Sequence, residues 1–106
     1  MEYIKDCRSV APTGEKDVEK ATLFRSHRLL LGLNTVKPGG EQAVHTHDGQ
    51  DKFYHVLEGR GSFTVGDHVQ EAGPGEVIWA PSEVEHGVRN PHSSPLLLLV
   101  GIAPAP

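Results

Sequence analysis

His45 and His47 stand two residues apart in the stretch Glu41-Gln42-Ala43-Val44-His45-Thr46-His47. Side chains on a β-strand alternate faces with period two, so on a strand both imidazoles point to the same side and can grip one ion together. Neutral imidazole suits divalent transition metals and meets zinc at about 2.0 to 2.1 Å, but two ligands leave the coordination sphere incomplete. His86 is the natural third donor. It shares one face of a later strand with Val84 and Val88, an apolar, inward-looking stripe on which a polar ring needs a partner. Taken alone, a His-x-His pair is weak evidence, because the same spacing occurs on surfaces and in cores without metal.

Other reactive side chains have less support around them. The single cysteine, Cys7, excludes an intrachain disulfide, fits a reducing compartment and has no activating base beside it in sequence. His55 shares a face with Phe53 and Leu57, opposite the stripe that would face a metal, which suits packing or an interface. Trp79 reads either as core packing or as a pocket wall, and Tyr54 reads the same way. His27, His68 and His92 fall in no recognisable pattern.

The elements that carry these histidines are short strands. Twelve glycines and eight prolines are spread through the chain, and the segments between them are often β-branched and alternate polar with apolar residues. Strands are expected near residues 27–36, 42–47, 52–58, 61–65, 68–72, 76–80, 84–90 and 95–102. Turn chemistry separates them at Pro38-Gly39-Gly40, Glu58-Gly59-Arg60-Gly61, Gly66-Asp67 and Gly73-Pro74-Gly75. Only residues 15–25 read as able to hold a helical turn. This is an all-β pattern, of a sandwich, jelly roll or small barrel. At 106 residues the chain is expected to form one domain, 1–106, with its core barrel about residues 27–102. Residues 53–58 carry large apolar groups on both faces, as in a strand covered twice, and this leads us to expect a homodimer that buries the outer face.

Ten Lys plus Arg against fourteen Asp plus Glu give a net charge of -4, and no stretch concentrates basic residues, so nucleic acid is not an expected partner. Charges occupy the opening residues, where a signal peptide would need its apolar run, and the apolar run at 96–100 is too short to span a membrane. The expected location is cytoplasmic, with no membrane partner.

Gly39, His45, His47 and Gly59 follow the order glycine, five residues, His-x-His, then a closing glycine. Gly75, Pro81, His86 and Asn90 follow glycine, five residues, proline, then histidine, three residues and asparagine. In these two motifs, joined by a short connection, the chain resembles the cupin superfamily in its small, single-domain (monocupin) form. The resemblance implies a double-stranded β-helix, or jelly-roll barrel. It also implies a divalent transition metal (Fe, Mn, Zn or Ni) held inside by the matched histidines, with open positions facing a pocket for a small-molecule ligand or substrate.

The pattern breaks in two places. Glu83 replaces the second motif's middle glycine, and Lys52 stands where the family usually places a glutamate as fourth metal ligand. A protonated lysine cannot ligate a cation. Asp51 fits an alternative count from His47, although on a regular strand it faces away from Lys52's side unless a bulge intervenes. The site is therefore either three histidines with open positions, or a set completed by Asp51 or, as a further option, Gln50. Lys52 is either a solvated strand-edge charge or a cation beside an anionic substrate. Loss of the glutamate also fits a cupin that keeps the fold without metal.

Three functions follow from this reading. The first is a metal-dependent enzyme, dioxygenase-like if the metal is iron, acting on a small oxygen-rich molecule. The second is a non-catalytic module that binds a sugar or organic acid. The third is a metal-free, isomerase-like cupin using His45 or His86 for proton transfer. The sequence assigns no catalytic residue, and a fold does not name a substrate.

Overall fold

The computed structural model describes residues 2–106 as nine strands. These are β1 (Val18–Arg25), β2 (Leu30–Val36), β3 (Glu41–His45), β4 (Asp51–Glu58), β5 (Gly61–Val65), β6 (His68–Ala72), β7 (Val77–Ala80), β8 (His86–Arg89) and β9 (Leu96–Ala103). They form a five-stranded sheet, β1-β2-β9-β4-β7, and a four-stranded sheet, β3-β8-β5-β6. Every pairing is antiparallel. Among the described residues no helix is long and apolar enough to cross a membrane. The expected double-stranded β-helix is the observed architecture.

Period-two patterning explains which faces pack. Along β4, Lys52, Tyr54 and Val56 are buried, while Phe53, His55 and Leu57 are half-buried on the opposite face. The core between the sheets draws Val36 from β2, Tyr54 and Val56 from β4, Phe63 from β5, Val88 from β8 and Leu98 from β9. Each such side chain contributes about 1.5 to 3 kcal/mol by leaving water, so this layer dominates stability. Gly59, at φ 81°, closes the β4–β5 turn, and a Cβ there would strike the Pro95 carbonyl oxygen.

A second cluster lies outside the five-stranded sheet. Leu23, Leu33 and Leu97 are packed there by Leu57, Cys7 and Ala11. Lys5 Nζ donates to the Leu23 carbonyl at 2.8 Å, and Arg8 pairs with Glu58 at 3.0 Å. The chain's own N-terminal segment therefore covers part of the face that the sequence assigned to a second copy.

Three sequence expectations need correction. Residues 15–25 hold strand β1 rather than a helical turn. It runs antiparallel to β2 from Val18↔Val36 to Arg25↔Leu30, and a bulge at Leu23 interrupts the alternation that would have revealed it. Trp79 neither packs in the core nor lines the histidine pocket. It sits on edge strand β7, 56% exposed, beside exposed Val77. Lys52 is not a solvated edge charge: β4 is flanked by β9 and β7, and Lys52 is only 4% exposed.

Candidate metal centre

Two strands and one loop bring three histidines together. His45 ends β3 and pairs with His86 of β8, after a register shift between Gln42 and His45. Gly87 permits this close approach, since a Cβ there would lie 2.9 Å from the Gln42 carbonyl oxygen and 3.1 Å from Val44 Cα. His47 lies two residues beyond β3, and the loop before β8 fixes it. Glu83 N donates to the His47 carbonyl at 3.3 Å, and Ser82 Oγ lies 3.5 Å from the same oxygen. That loop turns through Glu83 at φ 69°, the left-handed region that favours the glycine of the motif.

The ring centroids form a triangle, 4.6 Å from His45 to His47, 4.5 Å from His45 to His86 and 5.5 Å from His47 to His86. One nitrogen from each ring lies within 4.8 Å of the others. His45 Nδ1 lies 2.8 Å from the Ala43 carbonyl, and His86 Nδ1 lies 3.2 Å from that of Val84. In the tautomer these carbonyls select, Nδ1 carries the proton and Nε2 keeps a free lone pair. His86 is 1% exposed, and its Nε2 is buried without any hydrogen-bond partner. Burial, reinforced by Lys52 and the other two histidines, holds His86 down to about 4 against the opposing Val84 hydrogen bond. His47 is lowered too, by burial and then by His45, Lys52 and Lys20. His86 is thus a neutral donor at physiological pH, with an orphaned lone pair aimed into the group, as a bound cation requires. The residues present fit a divalent transition metal.

Asp51 does not join the three histidines. It points away from the Lys52 side of β4, and its Oδ1 accepts from Ser82 N at 2.9 Å, holding the loop that braces His47. Gln50 is also elsewhere, donating to the Pro104 carbonyl at 3.3 Å. Lys52 faces inward, its Nζ 4.8 Å from the Tyr54 ring centroid. Tyr54 donates its hydroxyl to Gln42 Oε1 at 3.0 Å, and burial raises its pKa above the ordinary value. His55 lies on the opposite face of β4, as its spacing indicated.

A cavity of about 570 Å³ opens beside His45 and His47, with Lys52, Lys20 and Asn34 in its wall. This is within the range of small-molecule sites. Sequence reasoning missed Lys20 and Asn34. Lys20 belongs to the strand read as a helical turn, whereas Asn34 could have been found as a polar residue inside an otherwise apolar strand.

Comparison with known proteins agrees with this fold. The family model for the cupin domain matches residues 32–102. Uncharacterized protein MJ1618 of Methanocaldococcus jannaschii is 31% identical over 77 residues, covering 73% of this chain and 62% of that protein, so the match spans under two thirds of that relative's length. The crystal structure of TT1209 from Thermus thermophilus is 41% identical with a TM-score of 0.94, covering 99% of this chain and 100% of that one. A conserved protein with a double-stranded β-helix domain from Klebsiella pneumoniae shares the fold at 18% identity and TM-score 0.91, over 98% of this chain and 91% of that one. With both motifs located on the barrel and the domain model spanning most of its strands, the chain belongs to the cupin family.

Proposed function

We propose that this cupin holds one divalent transition metal on His45, His47 and His86 and works on a small oxygen-rich molecule in the adjoining cavity. The observation that carries the reading is the buried, partnerless Nε2 of His86, set among two further imidazoles with a donor nitrogen of each within 4.8 Å. Three protein ligands leave coordination positions open toward the cavity. When bound, the ion supplies Lewis-acid polarisation or, as iron, redox chemistry with dioxygen.

The chain's own residues do the positioning. The Ala43 and Val84 carbonyls orient two of the rings, and the loop at Ser82 and Glu83 fixes the third through the His47 carbonyl. The metal-free, isomerase-like reading loses one of its two candidate proton-transfer groups, because His86 held down to about 4 is a poor proton donor at neutral pH.

Elemental analysis of untagged protein purified without chelators tests the proposal, alongside a folded His45→Ala/His47→Ala variant. One transition metal per chain, lost in the variant, is the expected result. No metal even after reconstitution with iron, manganese, zinc or nickel overturns it. Metal-dependent turnover then marks an enzyme, and saturable binding without conversion marks a binding module.

A further inference from the structure

We infer that the cavity beside the histidines is built for a small carboxylate with a partly apolar body, its charge held by Lys52. This rests on the reading of the histidines as a metal centre and adds the class of molecule that meets it.

Lys52 lines the cavity yet is 4% exposed, and among the described residues its ammonium group has no ion-pair or hydrogen-bond partner, only the Tyr54 ring. A buried cation without a counter-ion is unfavourable. The second cation in the wall, Lys20, adds to the imbalance, and no aspartate or glutamate side chain lines the cavity. Three neutral imidazoles would leave the charge of a divalent ion unneutralised as well. A ligand that brings negative charge relieves this imbalance.

Two further features narrow the class. Asn34 is 5% exposed, also lines the cavity, and has no side-chain partner of its own among the described residues, so its amide is free for a second polar contact. Leu30, Val100 and Ile102 supply an apolar wall that suits a hydrocarbon body. Phosphate sites are usually built from arginine forks or arrays of backbone amides, and no arginine lines this cavity. A carboxylate matches a single buried lysine, an amide and an apolar wall.

The test is calorimetric titration of the Co2+-loaded full chain with acetate, benzoate and succinate, with their amides, and with inorganic phosphate. Benzoate should bind more tightly than acetate, and each amide at least about 10-fold more weakly than its acid. Lys52→Met should lose about 10-fold in benzoate affinity, and Lys52→Arg should retain most of it. Amides binding as well as acids, phosphate binding more tightly than every carboxylate, or Lys52→Met within twofold of wild type would each overturn the inference while leaving the metal centre intact. Should Co2+ fail to load, the metal reading falls, and benzoate is titrated into the metal-free chain. Binding that Lys52→Met weakens supports the carboxylate site, and no binding to any form overturns it.

Discussion

His45 and His86 are register partners across the β3–β8 ladder, with ring centroids 4.5 Å apart. The ladder sets their separation through backbone hydrogen bonds, so the pair is held by a rigid sheet rather than by loops. On this basis His86→Ala should lower affinity for Zn2+ at least about 100-fold, measured by competition with a chromophoric chelator. Affinity within threefold of wild type would remove His86 from the ligand set.

The titration of His86 has a defined sign. Burial first, then Lys52, His45 and His47, bring it to about 4 from an ordinary 6.5, against the Val84 hydrogen bond. Between those values the unfolded chain binds a proton that the folded chain does not. The metal-free protein therefore has its full His86 contribution above pH 6.5 and loses it as pH falls toward 4, by roughly 3 kcal/mol. Urea midpoints of wild type and His86→Leu, compared across that range, should diverge; parallel curves would refute the linkage.

Lys52 is lowered to about 8, by burial and then by Lys20, so at neutral pH it remains charged in a poorly compensated site. The unfolded chain binds the extra proton between about 8 and 10.5, and stability should rise with pH across that window. At pH 7, Lys52→Met should stabilise the metal-free protein by about 2 kcal/mol in urea denaturation. A destabilised variant would mean that the ammonium group is already well compensated.

Asp51 acts through the Ser82 backbone rather than on the histidines directly. Asp51→Ala should free the Ser82–Glu83 turn and weaken Zn2+ binding by about 10-fold, while Asp51→Asn, which keeps the acceptor oxygen, should stay near wild type. Equal losses in both variants would point instead to the carboxylate charge.

The barrel and the three histidines were legible because both rest on spacing. Turn residues punctuate the strands, and period two placed Tyr54 with Val56, whereas His47, expected on the same strand as His45, lies past the end of β3 and is held by the loop at Ser82 and Glu83. What escaped depended on neighbours distant in sequence. The bulge at Leu23 hid β1 and with it Lys20, and nothing local showed that Cys7 and Ala11 would cover the outer sheet. Lys52 was read with a solvated edge in view because its strand's central position is set by β7 and β9, which come later in the chain. Asn90 matched its motif position, and the structure shows what it does there: fully buried, its amide donates to the Val36 and Ser94 carbonyls at 3.0 and 2.8 Å.

Asn90 also makes two backbone bonds that join the opening of the first motif to the close of the second. Gly39 N donates to the Asn90 carbonyl at 2.8 Å, and Asn90 N donates to the Gly40 carbonyl at 2.9 Å. Strands β3 to β8 lie between those points in the chain, so a large loop must close before either bond can form. Closing such a loop costs entropy before any contact repays it, which places folding in the slow, millisecond-to-second regime of nonlocal β topologies. A chain emerging during synthesis presents His45 and His47 well before β8 delivers His86. The complete three-nitrogen group therefore first exists when the fold is nearly finished, and its appearance can serve as a clock for the last step of folding.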